Sequence, residues 1–206
     1  MSKGVFIKEK MKKDAHQKKY IVLFLITVMV LMGCGAKSEV SYAPIVCEYS
    51  DYPTCWTSID CISTNIRIYD NNTVEVYCGD FDDRLSPTET ISMDYIYGET
   101  FEITEEQKQS VIEALKKNKI EKLSDCSDKD SCDGRYSYIY LFDANGEKVH
   151  QCGGLNPHSE NWGAAYTAIR AVVPEGAVSD VRSKSEEILI DYLLENYPER
   201  YDWLVY

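Results

Sequence analysis

The chain has 206 residues, with 22 Lys and Arg against 34 Asp and Glu, 44% hydrophobic and 27% charged residues. That is one domain's length and ordinary globular usage, which excludes a disordered or collagen-like chain over most of its length and calls for a packed core. The formal net charge of -12 argues against a nucleic-acid partner, because affinity for phosphate backbones comes from clustered Lys and Arg.

Residues 1 to 20 carry seven Lys against Glu9 and Asp14, and the apolar run Ile21 to Met32 then leads into Gly33-Cys34. A basic segment, a short apolar segment and a small residue before the break describe an export signal. Twelve residues at about 1.5 Å each fall short of a hydrocarbon core of roughly 30 Å, so a permanent membrane helix is the weaker reading. The run Leu31-Met32-Gly33-Cys34 resembles the lipobox of bacterial lipoproteins, with Met32 departing from the usual small or β-branched residue. The resemblance implies that residues 1–33 are removed by signal peptidase II. It also implies that Cys34 becomes a diacylated N-terminus held on the extracytoplasmic face of the cell membrane, where more than one acyl chain makes anchoring stable. Met11-Lys12-Lys13 offers an alternative start that gives a more typical signal length. Removing residues 1–33 leaves 15 basic and 32 acidic side chains, a mature charge of -17. Anionic headgroups repel such a chain, so its membrane partner must be met through the lipid.

Residues 34–44 are small, polar and without period, a tether from lipid to domain. Residues 45–63 hold Cys47, Cys55, Cys61 and Trp56 with no clean alternation, and read as an irregular cross-linked segment. Asn65 to Tyr69 and Thr73 to Cys78 alternate with period two around Asp70-Asn71-Asn72, a hairpin. Thr90 to Tyr97 repeats the alternation as a third strand. Thr104 three residues before Gln107 has capping-box spacing, and Val111, Ile112 and Leu115 share a face, which predicts a helix over 105–117. Arg135 to Phe142 and Glu147 to Cys152 flank an Asn-Gly pair, a strong hairpin signal. Trp162, Tyr166, Ile169 and Val173 predict a helix over 159–172 halted by Pro174, and a last helix is predicted over 184–196 with Ser183 as its cap. The order β-β-β-α-β-β-α-α specifies an α+β domain over 45–206: an antiparallel sheet of two hairpins plus one strand, with helices on one face. The runs IRIYDNNTVEV, ITEEQKQSVIEAL and YIYLFDANGEKVHQCGG give this layout a likeness to small secreted bacterial domains of unknown function. It supports the fold and implies no active site.

With Cys34 lipidated, Cys47, Cys55, Cys61, Cys78, Cys126, Cys132 and Cys152 remain, an odd set that allows at most three disulfides outside the membrane. Cys126 with Cys132 would close a small ring, and Cys78 with Cys152 would meet if their strands were neighbours. No zinc-ligand spacing occurs. Asp125, Asp128, Asp130 and Asp133 before Gly134 invite comparison with a calcium loop, but the EF-hand frame is wrong, which favours a solvated turn. His150 and His158 are the only imidazoles of the mature chain, and neither belongs to a nucleophile signature. Gly153-Gly154 is read as a tight exit from its strand. Tyr136, Tyr138 and Tyr140 share one sheet face, either packed under a helix or open as a sugar-stacking ligand surface. The sequence carries no cofactor motif. These features favour a non-catalytic, lipid-anchored module that binds another envelope component or an extracellular ligand. The alternative is an envelope hydrolase using His150 with a carboxylate. A two-lobed transporter receptor does not fit about 160 folded residues.

Overall fold

Ile66 and Ile68 alternate with Arg67, and Val74, Val76 and Cys78 alternate with Glu75 and Tyr77, so each strand of the first hairpin offers one apolar face. A computed structural model describes residues 44–54, 61–86, 88–131 and 133–205. The expected export signal, Cys34, Cys55, Trp56 and Cys132 lie outside them. The chain order is β1 (Ile45–Pro53), β2 (Ser63–Tyr69), β3 (Thr73–Gly79), β4 (Phe81–Ser86), β5 (Glu89–Met93), β6 (Tyr97–Glu102), α1 (Glu105–Lys117), β7 (Arg135–Phe142), β8 (Lys148–Leu155), α2 (Glu160–Ala171), α3 (Ala177–Asn196) and the short α4 (Pro198–Tyr201). Six strands form one antiparallel sheet in the order β6-β3-β2-β1-β7-β8, and β4 and β5 form a separate ribbon. This is the α+β class that the sequence specifies.

One face of the sheet supplies Ile66, Ile68, Val74, Val76 and Ile139 to a core completed by Trp162, Ala165 and Ile169 of α2 and by Val181, Leu189 and Leu193 of α3. Each fully buried aliphatic side chain in that set contributes about 1.5–3 kcal/mol. Helix α1 opens on the predicted box, with the Thr104 hydroxyl accepting from the Gln107 amide and the Gln107 side chain accepting from the Thr104 amide. Ser159 caps α2 by accepting from the Trp162 amide.

Three sequence expectations are corrected. Residues 45–53, read as irregular, are β1, which lies between β2 and β7 near the middle of the sheet. Its faces carry Cys47, Tyr49 and Asp51 on one side and Glu48, Ser50 and Tyr52 on the other, so polar residues on both blur the hydrophobic alternation. The third strand, expected over 90–97, divides: its first part pairs in the β4–β5 ribbon, and residues from Tyr97 onward pair with β3 as an edge strand. Gly98 permits that pairing, since a Cβ there would stand 2.6 Å from the Tyr77 Cβ. Helix α3 begins at Ala177 and not at residue 184. Its buried stripe is Ala177, Val181, Ser185, Leu189 and Leu193, and the serine at its centre hides the period. The Ser185 hydroxyl is satisfied by donating to the Val181 carbonyl at 2.7 Å.

The Gly153-Gly154 pair lies inside β8 and forms no exit. Both residues have positive φ, and a Cβ on Gly153 would fall 2.1 Å from the Ser137 carbonyl oxygen while one on Gly154 would fall 2.1 Å from the Ser127 hydroxyl. The pair lets β8 pass tightly between β7 and the segment 124–128, which pairs along it through Cys126 N–H to Gly153 O and Gly153 N–H to Ser124 O. Gly153→Ala is therefore expected to cost on the order of 3 kcal/mol in denaturant unfolding. Gly146→Ala, at φ +80 with open space around it, should cost only about 1 kcal/mol. Equal effects of the two substitutions would contradict the close approach at β8.

Candidate functional site

The tyrosine row lies on the sheet face turned away from the helices, because Ser137, Ile139 and Leu141 take the core side of β7. The reading as support beneath a helix is thereby corrected. Ring centroids of Tyr136 and Tyr138 are 6.4 Å apart with planes 2° apart, and those of Tyr138 and Tyr140 are 6.0 Å apart. Exposure falls along the row, from 42% at Tyr136 to 9% at Tyr140, whose ring is covered by the Lys148 ammonium at 4.6 Å. The same face carries a polar ladder across β1, β2 and β3. Arg67 stands directly opposite Glu48 on one side and Glu75 on the other. Its guanidinium pairs with Glu48 and donates to the Tyr77 hydroxyl, and Tyr69 donates to Glu75. Burial alone would pull the Arg67 pKa down, but the Glu48 carboxylate together with Tyr69 and Tyr77 outweighs it and the net shift is upward. The groups of this ladder satisfy one another.

The opposite face holds a concave site that the sequence reading did not assemble. Helix α2 packs on β1 through Tyr49, whose ring lies 4.8 Å from that of Tyr166 and 6.2 Å from that of Trp162. Helix α3 packs over β3 and β6. Between the two helices, over the ends of β1 and β2, a cavity of about 580 Å³ remains. That volume is in the range of small-molecule and peptide side-chain sites. Tyr49, Ile66, Tyr166 and Val178 give it an apolar wall, and Asp51, Thr64, Arg135, Arg170 and Arg182 give it polar groups. Asp51 accepts from Arg135 Nε at 2.7 Å and from the Ser137 hydroxyl at 2.9 Å. Arg182 pairs with Glu186 at 2.9 Å, one helical turn on, and donates to Thr64 at 3.3 Å. The sequence does contain a trace of this site: Tyr166 with Arg170, and Val178 with Arg182, are i,i+4 pairs on the two helices flanking Pro174-Glu175-Gly176. A last helix begun at residue 184 leaves out the second pair.

The calcium candidate does not assemble. Asp125 accepts from the Ser127 amide and hydroxyl, Asp128 from the Asp130 amide, and Asp133 from Thr54 and the Gly134 amide. These hydrogen bonds hold the Asp125 and Asp133 carboxyls below the ordinary aspartate value. Among the described residues no three His, Cys, Asp or Glu side chains gather as metal ligands. His150 Nε2 donates to the Leu123 carbonyl at 2.8 Å, which fixes the proton on that nitrogen and makes the ring a tie between β8 and the preceding loop. No hydrogen bond or ion pair joins His150 to a carboxylate among the described residues, and His158 is exposed. No family model matches the chain, and no curated protein matches it.

One of the cysteine pairings is settled by topology. Three strands separate β3 from β8, roughly 19 Å at ordinary strand spacing, so Cys78 cannot bond Cys152. Among the described residues Cys47, Cys78, Cys126 and Cys152 are buried free thiols, while the Cys126–Cys132 ring involves Cys132, which lies outside them. Cys126 and Cys152 lie near each other where the 124–128 segment meets β8. Burial pushes the Cys47 thiol up to about 12, with Glu48 adding to it, and burial with the Cys126 neighbour does the same at Cys152. At pH 8 these groups are therefore protonated and poorly nucleophilic. In the native chain Cys47 and Cys152 should resist a disulfide-exchange thiol reagent at pH 8 and react once denaturant is added. Prompt labelling of both in the native state would contradict their burial in the core.

Proposed function

We propose that the protein is a lipid-anchored extracytoplasmic module of the cell envelope that binds a ligand without acting on it chemically, and that the ligand enters the cavity between α2, α3 and the ends of β1 and β2. The likeness of Leu31-Met32-Gly33-Cys34 to a lipobox supports the address. The single observation that carries the binding reading is the convergence on one cavity of three of the chain's six arginines, beside an apolar wall. In a mature chain of charge -17, arginines gathered on one concave surface stand out from the general surface chemistry. The hydrolase reading receives no comparable support, since His150 spends its Nε2 proton on a backbone carbonyl.

Binding and anchoring are separable. Val178, the second residue of α3, lines the cavity, so Val178→Trp places an indole in the space without replacing a residue of the buried stripe. The full chain, Cys34→Ala and Val178→Trp should be purified in parallel from the native envelope and examined by native mass spectrometry. Wild type is expected to carry a diacylated N-terminus and a retained envelope component. Cys34→Ala should remain an unlipidated precursor. Val178→Trp should be lipidated, fold with a near-unchanged thermal midpoint and lose the component. Retention of the same component by Val178→Trp would place the binding surface elsewhere, and acylation of Cys34→Ala would overturn the address.

A further inference from the structure

Of the three arginines in the cavity, two are already answered by an acid. Arg135 is paired with Asp51 and Arg182 with Glu186. Arg170, in the last turn of α2, is half-buried, and its guanidinium makes no hydrogen bond or ion pair with any described residue. Two of the three arginines outside the cavity show the contrast: Arg67 is held by Glu48 and Glu75, and Arg200 by Asp83. A guanidinium left half-desolvated without an acid, in a chain with more than twice as many acids as bases after residue 33, is a cation awaiting a partner.

The charge balance sets what that partner is. Once the two internal pairs are counted, the cavity holds one uncompensated positive charge. A monoanion neutralises it, while a phosphate monoester, carrying roughly -1.5 to -2, would bring an excess into an acidic protein. The planar guanidinium fork matches a carboxylate through two parallel N–H···O bonds. Tyr166 lies one turn before Arg170 on the same face of α2, its ring tilted by 41° against that of Tyr49, and Ile66 and Val178 complete an apolar surface beside it. We propose that the cavity is a carboxylate site, in which Arg170 pairs the anion and the Tyr49–Tyr166 wall receives an apolar group attached to it. The ligand is an organic acid with one carboxylate and an apolar body, either a free small acid or the C-terminus of a peptide. This rests on the cavity being the binding site.

Trp162 reports occupancy, because its indole lies 5.5 Å from the Tyr166 ring with planes 15° apart. Tryptophan fluorescence of the full chain in detergent should be titrated with 3-phenylpropanoate, its amide, phenyl phosphate and N-acetyl-alanyl-phenylalanine. The two carboxylates are expected to bind. Stronger binding of the peptide would identify a peptide C-terminus as the source, and equal or weaker binding would identify a free acid. The amide should fail, and phenyl phosphate should bind more weakly than 3-phenylpropanoate. Arg170→Gln, which keeps a polar side chain and a similar helix propensity, should raise the dissociation constant roughly tenfold or more with the circular-dichroism melt unchanged. Glu186→Gln frees Arg182 from its acid and should move preference toward phenyl phosphate.

Binding of the amide as tight as that of the acid, an affinity indifferent to Arg170→Gln, or phenyl phosphate preferred by the wild type would each overturn the carboxylate assignment. If neither carboxylate binds while Val178→Trp still abolishes retention of the envelope component, the ligand class is wrong and the cavity remains the site. If neither carboxylate binds and Val178→Trp retains the component, the cavity reading falls as well.

Discussion

Strand β1 is hydrogen-bonded on both sides, to β2 through the register Tyr49 to Ile66 and to β7 through Tyr49 to Ile139. Without it the chain would hold two separate hairpin systems, β2–β3 with β6 and β7–β8, each with a long open edge. The pleat then fixes what each residue of β1 meets. Tyr49 and Asp51 face the helices, where Tyr49 seats α2 and Asp51 enters the cavity. Glu48 faces the other way, where it sets the charge partner of Arg67. A one-residue slip in β1 would reverse both assignments, placing Glu48 in the core and Asp51 on the tyrosine face.

The two faces use the same residue types for different ends. On the helix-free face the Glu48–Arg67–Glu75 ladder and its tyrosines form a closed set of hydrogen bonds, so the charges there hold neighbouring strands together. On the helix face the arginines stand at the border of the apolar core, and the splay between α2 and α3 leaves them open to solvent on one side. Arg170 is the residue that separates the two cases. It has the burial of a structural arginine without the acid that structural arginines in this chain possess.

Much of the fold was legible because its elements announce themselves locally. The capping box before α1 and the Asn-Gly turn between β7 and β8 both lie where the sequence predicts them. The misses share a physical cause. β1 and α3 are placed by tertiary partners, and both carry polar residues on faces that burial would assign to apolar ones: Asp51 opposite Thr64 in one, and Ser185 amid the buried stripe of the other. The cavity was illegible for the same reason, since it needs β1 beside β2 and a helix that starts before Val178. The tyrosine row was readable as a row, but which face it occupies depends on where the helices pack, and hairpin alternation does not fix that.

The most direct measurement is a side-chain nitrogen spectrum of the arginines in the full chain, recorded with and without 3-phenylpropanoate. The guanidinium Nε–H of Arg170 should shift most, with smaller changes at Arg135 and Arg182 and none at Arg67 on the opposite face. A spectrum in which Arg67 moves and Arg170 does not would put the ligand on the tyrosine face and contradict the cavity as the binding site.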